Sequence, residues 1–118
     1  MTPVGEAHIC PSTSLVEKGD GVRFEAAVGS QRESAFAIRF HGRVHAYVNR
    51  CAHIAYELDF QPGKFFDGDS VYLICSTHGA LYEPDTGRCV AGPCKGHALK
   101  RVPVVERDGE VLAMTEAT

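Results

Sequence analysis

Cys51-Ala52-His53 and Cys75-Ser76-Thr77-His78, separated by 21 residues, constrain this chain more than any other feature. They form two compact pairs, each joining a thiol to an imidazole and each followed by small or turn-forming residues. Thiolate and neutral imidazole suit intermediate and soft metals, whereas calcium and magnesium take oxygen ligands. By spacing alone, a Cys2His2 zinc site and a two-iron sulfur cluster both fit. Core cysteines beside unrelated surface histidines form the non-metal reading.

The chain has 118 residues and a mass of 12.8 kDa, enough for one domain with one modest core. We expect a single domain over residues 1–118 and one site. A net charge of −3 gives no general attraction to nucleic acid. No apolar run approaches the roughly 20 residues needed to cross a bilayer, so membrane insertion is not expected. Met1 to Pro11 carries neither a basic leader nor an apolar h-region, which points to the cytoplasm. There, cysteines serve more often as ligands or reduced thiols than as a disulfide framework. Cys10 reads as a small buried side chain. Cys89 and Cys94 flank Val90-Ala91-Gly92-Pro93 and can approach across a turn, so a disulfide stands open beside two reduced thiols. His8, His41, His45 and His97 lack a paired ligand pattern and read as surface or hairpin positions.

Strand signals outnumber helix signals. Val22 to Val28 partly alternates apolar and polar residues before Gly29-Ser30 interrupts it. Ser34 to Phe40 and Val44 to Val48 flank a tight turn around Gly42, and Leu99 to Glu106 and Glu110 to Met114 flank Arg107-Asp108-Gly109. The Ser70 to Cys75 run has the composition of a buried strand and would deliver Cys75 at its end. An entry strand is expected around His8-Ile9. Between Ala52 and Gly68 the pattern is that of an ordered loop, with Leu58, Phe60, Phe65 and Phe66 as apolar anchors or as cover for the site. The fold class is all-β, small and antiparallel.

The residues around the pairs go further than their spacing. Cys75-Ser76-Thr77-His78-Gly79-Ala80-Leu81-Tyr82, followed by Asp85-Thr86-Gly87, closely resembles the second cluster loop of the Rieske [2Fe–2S] family, and Cys51-Ala52-His53 is similar to its first. The resemblance runs from about Leu15 to Met114 and takes in the Gly92-Pro93 loop and the last hairpin. It implies three β layers with a cluster-binding loop subdomain at about residues 49–96. It also implies one [2Fe–2S] cluster, with Cys51 and Cys75 on the inner iron and His53 and His78 on the outer one. Gly79 would permit the close turn after His78, Gly92-Pro93 would shield the cluster, and Tyr82 either donates its hydroxyl to a ligating sulfur or packs in the core. Ala80 stands where high-potential relatives carry a serine, and it cannot supply that hydroxyl bond. The cysteines that join the two loops by a disulfide in respiratory-chain relatives are absent beside these pairs.

By this resemblance the chain is most like a soluble Rieske-type ferredoxin, not an enzyme in itself. It would carry one electron at a time from a flavin-dependent reductase to an oxygenase or related redox enzyme. A regulatory or structural metal-binding module, with zinc, is the alternative. Charge is uneven: from Cys51 to Gly87 six carboxylates stand against Lys64 alone, a local −5, and from Arg88 to Arg107 five cations stand against Glu106, a local +4. Glu57, Asp59, Asp67 and Asp69 would then steer a basic partner, against the alternative of ordinary solvated loop charge.

Overall fold

The computed structural model of the chain describes residues 5–28, 31–50, 58, 63–67, 71–75, 79–92 and 96–115. Its strands are β1 (Gly5–Pro11), β2 (Val22–Val28), β3 (Gln31–Phe40), β4 (Arg43–Val48), β5 (Leu73–Ile74), β6 (Leu81–Tyr82), β7 (Cys89–Ala91), β8 (Val104–Arg107) and β9 (Glu110–Thr115). One short 3₁₀ turn, Ser12–Ser14, follows β1. The strands form three antiparallel sheets of three, ordered β1-β9-β8, β2-β3-β4 and β5-β6-β7. The all-β, three-layered antiparallel expectation therefore holds.

Both expected hairpins form, each on a two-residue turn. Phe40 pairs with Arg43 and Arg107 with Glu110, leaving His41-Gly42 and Asp108-Gly109 as the central residues, all four at positive φ. Such turns match the right-handed twist of the strands they join. The entry strand also forms: β1 pairs with β9 from Gly5↔Thr115 to Pro11↔Glu110.

Alternation along β3 builds the middle layer. Phe36, Ile38 and Phe40 enter a core shared with Tyr47, Leu58, Phe65, Leu73, Cys75, Ala80, Tyr82, Cys89 and Leu99. The intervening Ala35 and Ala37, with Ala46 and Val48 from β4, enter a second core with Cys10, Leu15, Val102, Val111 and Ala113. Successive strand residues face opposite ways, so one strand holds large side chains toward the β5-β6-β7 sheet and small ones toward β1-β9-β8. Phe65 stacks on Phe36 with ring centroids 3.9 Å apart, and both are fully buried. The long loop's Phe65 and Leu58 are thus anchors to the core; Phe60 lies outside the described residues.

Two expected strands are shorter than their sequence pattern. β5 holds only Leu73 and Ile74, because the carboxylate of Asp67 accepts the N–H groups of Val71 (3.0 Å) and Tyr72 (3.3 Å) and folds them into a bend. The Leu99 to Glu106 run divides at Pro103, which has no N–H to give. Before it, the Val48 N–H donates to Lys100 O and the Val102 N–H to Ala46 O, tying this segment to β4; beyond it, β8 joins β9. One extended run therefore bridges two sheets.

Candidate metal centre

Cys75 follows β5 directly, and its side chain is fully buried. Pairing of Leu73 with Tyr82 and of Ile74 with Leu81 makes residues 75–80 the loop of a β5-β6 hairpin. Two backbone bonds close the base of that loop: the Cys75 N–H donates to Ala80 O (2.9 Å) and the Gly79 N–H to Cys75 O (2.7 Å). Gly79 sits at φ +72°, the close turn expected after His78. Cys51, His53 and His78 lie outside the described residues.

The loop after β7 packs on this base. At Gly92, with φ +95°, a Cβ would stand 2.8 Å from the Cα of Ala80, which is itself fully buried. No side chain fits there, so glycine is what lets this backbone lie against the residue two positions after His78. Tyr82 is fully buried in the core that holds Cys75.

On the far side of β6, the Asp85-Thr86-Gly87 signature forms a tight connection to β7. The Gly87 N–H donates to Glu83 O, the Glu83 N–H to Arg88 O, and the Thr86 hydroxyl to the Glu83 carboxylate (2.8 Å). A Cβ at Gly87 would meet the Tyr47 ring at 2.7 Å. That ring cannot retreat easily: it is fully buried, and its hydroxyl donates to Pro84 O at 2.8 Å. Burial also pushes the Tyr47 hydroxyl pKa up to about 12, so it remains a donor at any working pH.

Asn49 is the supporting residue that sequence reasoning missed. It is the one polar residue buried among the described residues. Its Oδ1 accepts the N–H of Leu58 at 2.8 Å, and its own N–H donates to Ser34 O. These bonds join the two ends of the segment that carries Cys51 and His53. The signal available was a carboxamide two residues before Cys51, an amide acceptor at the mouth of a loop.

The described surroundings of Cys75 suit a metal-bound thiolate: a desolvated sulfur at a strand end, a glycine turn just beyond it, and a second loop seated on the same base. A family model for the Rieske [2Fe–2S] domain matches residues 6–115. The chain belongs to the Rieske [2Fe–2S] domain family. The cofactor of this family is a [2Fe–2S] cluster, which decides between the two metals that the ligand spacing had left open.

Solved structures agree on the fold. The chain is similar to the ferredoxin of carbazole 1,9a-dioxygenase from Nocardioides aromaticivorans IC177, with a TM-score of 0.72 and 22% identity over 94% of this chain and 98% of that one. It is similar to a chain in a complex of reduced oxygenase and oxidized ferredoxin in carbazole 1,9a-dioxygenase, with a TM-score of 0.70 and 18% identity over 96% and 95%. It also resembles part of the terminal oxygenase of carbazole 1,9a-dioxygenase from Novosphingobium sp. KA1, with a TM-score of 0.69 and 26% identity; the match covers 99% of this chain and 30% of that one. No significant match is found among curated protein sequences. No helix among the described residues is long and apolar enough to cross a membrane.

Proposed function

We propose that Cys51 and Cys75 ligate one iron and His53 and His78 the other, and that this Rieske-family chain is a one-electron carrier between a flavin-dependent reductase and an oxygenase or related redox enzyme. The observation that carries this reading is the family match over residues 6–115, which encloses all four ligands, joined to a fully buried Cys75 at the base of the second ligand loop. Similarity in fold to a dioxygenase ferredoxin along nearly the whole of both chains favours a carrier. About residues 49–96 form the cluster-holding part, and the cytoplasm is the compartment this reading implies.

When bound, the [2Fe–2S] cluster accepts and releases a single electron. Cys51 and Cys75 would supply two thiolate charges where a four-cysteine site supplies four, so the added electron meets less negative charge. Burial of Cys75 keeps water from its sulfur, and Gly92 brings a covering loop onto the same base. The Asp67 carboxylate accepts two backbone N–H groups and that of Glu83 accepts the Thr86 hydroxyl, neutral donors that fix the two carboxylates in place and leave their charge intact. Glu57, Asp59 and Asp69 lie outside the described residues and, with Asp67, keep the steering role in this proposal.

The experiment is stopped-flow transfer. Protein with a fully loaded cluster is reduced by a flavin-dependent reductase and mixed with an oxidised oxygenase, and the visible band is followed. Multiple turnovers of electrons per carrier support the reading; a loaded, reducible cluster that passes no electron to any such partner favours a regulatory module instead.

A further inference from the structure

Arg32, Arg39, Arg50 and Lys64 are each held by a carboxylate, of Glu25, Glu106, Glu33 and Asp20 in turn. Arg43 and Arg101 differ: both are exposed, and neither makes an ion pair among the described residues. Both lie close enough to His45 to act on its charge, and the Nδ1 of that partly buried ring is itself buried with no hydrogen-bond partner among those residues. We propose that Arg43, His45 and Arg101 form an oxyanion site that receives a carboxylate from the acidic surface of a partner protein.

The fold builds this site from two neighbouring segments. Arg43, His45 and Tyr47 alternate along β4 and so project from one face of its sheet. His45 pairs with Ile38 and Tyr47 with Phe36, which makes this the face that carries the large-residue core. Arg101 arrives on the segment tied to the edge of β4, where it pairs with Tyr47. Its guanidinium lies over the Tyr47 ring, 5.8 Å from the centroid, and its Nη2 donates to Asp85 O. Tyr47 is fixed in turn by burial and by its bond to Pro84 O. The Arg101 fork is therefore held in place before any partner arrives, so a carboxylate meets it with less rotamer freedom to lose.

The charges around His45 favour an incoming anion. Arg43 acts on it from β4, Arg101 from the 99–102 segment and Asp85 from the connection between β6 and β7, while β3 presents Ile38 and Phe40, which carry no charge. Asp85 opposes the two arginines, yet Arg101 bonds to its backbone oxygen. Burial first, and then Arg101, hold the His45 imidazole below its usual pKa, so it is neutral at neutral pH. A bound carboxylate favours the imidazolium, and by linkage protonation then tightens binding. The net charge of −3 gives the molecule no general attraction for nucleic acid or anionic lipid, so recognition rests on a local match of a few charges, as at a protein surface. The acidic loops discussed above fit a basic partner; this site fits the opposite kind and does not depend on the ligand set of the cluster.

The probe is a rhodamine-labelled hexaglutamate peptide, titrated at low salt into cluster-loaded protein and followed by anisotropy, with amide shifts mapped by nuclear magnetic resonance. Shifts centred on residues 43–47, 85 and 99–101 are expected; no binding, or shifts centred elsewhere, would overturn the site. Arg43→Ala/Arg101→Ala should weaken binding roughly tenfold. Arg32→Ala/Arg50→Ala removes the same charge from ion-paired positions and should change it less than about twofold. Equal weakening by both pairs would show attraction to net charge alone and reject the proposal, as would tighter binding of a short single-stranded DNA at the same amides. Because Arg101 also braces Tyr47, Arg43→Gln serves as the second variant: about threefold weaker binding with an unchanged urea midpoint is expected, and unchanged affinity counts against the site. The native protein should bind the peptide about threefold more tightly at pH 6 than at pH 8, and His45→Gln should remove that dependence. A pH dependence that survives His45→Gln would contradict the part assigned to His45.

Discussion

β3 runs for ten residues and pairs along most of its length with both neighbours, whereas β5, β6 and β7 have two, two and three residues. The larger sheets hold themselves together by ladder bonds and by cores on both faces of the middle layer. The small sheet depends on single devices: a buried thiol at a strand end, a glycine pressed on Ala80, another pressed on Tyr47, and an asparagine that joins the ends of a loop. Rigidity is built by repetition in one region and by a few irreplaceable contacts in the other. A region of the second kind gains most from a bound metal, because ligation contributes directly to its folding free energy.

The sharpest way to break this comparison is Cys75→Ser. Iron and sulfide should fall to near zero, and amide exchange protection should vanish from β5, β6 and β7 while persisting in β2, β3 and β4. Uniform loss of protection throughout would show that the two regions are not separable. Next in size is Gly87→Ala, where the new methyl meets a pinned Tyr47 ring and the residue must hold φ +77°. We expect a loss of roughly 2–4 kcal/mol in urea unfolding, from overpacking plus left-handed strain. A change below about 0.5 kcal/mol, the usual range for surface substitutions, would mean the ring has room to move.

Asn49→Ala strips the acceptor from the buried Leu58 N–H and should cost about 1–3 kcal/mol. The cluster should also bleach faster in EDTA, because the damaged bonds close the loop that carries Cys51 and His53. Faster bleaching without any loss of stability would place the effect on ligand exchange alone.

The smallest expected effect lies on the opposite side of the molecule. Arg39 makes a two-pronged pair with Glu106 (2.7 and 3.1 Å), and its other bonds go to Leu15 O, Ser12 O and Gly42 O. Hydrogen bonding to Arg39 holds the Glu106 carboxyl below the ordinary carboxylate range. A lowered folded pKa contributes stability above the unfolded value and loses it as pH falls through the folded value. With Glu106 one-third exposed, we expect Glu106→Gln to cost about 1 kcal/mol at neutral pH, the difference shrinking as pH falls through the lowered folded pKa. Urea titrations at several pH values would show this, and the spectrum of the reduced cluster should not change. A pH-independent difference would mean that packing, not charge, sets the effect.

What the sequence revealed divides along the same line. The Ser34–Val48 and Leu99–Met114 hairpins were legible because alternation and turn residues are local properties. So was the placement of Cys75 at the end of a β-rich run. The structural role of Asp67, capturing the amides of Val71 and Tyr72, was not legible because it depends on a bend that propensity does not reveal. The Pro103 break was readable as a missing donor, but not the sheet to which each half would go. Gly87 stood out as part of a motif, yet its reason is Tyr47, forty positions away in the chain. Asn49 looked like any loop amide until Leu58 was found opposite it. Contacts between distant residues leave no periodic trace, and the small sheet is made mostly of such contacts.

The central claim is that this region holds a [2Fe–2S] cluster on two cysteines and two histidines. Pulsed electron paramagnetic resonance of dithionite-reduced protein, labelled with ¹⁵N only in histidine, tests it most directly. The account predicts strong hyperfine coupling from two histidine nitrogens, lost one at a time in His53→Cys and His78→Cys. A reduced cluster with no histidine coupling, or coupling that survives both replacements, would contradict it.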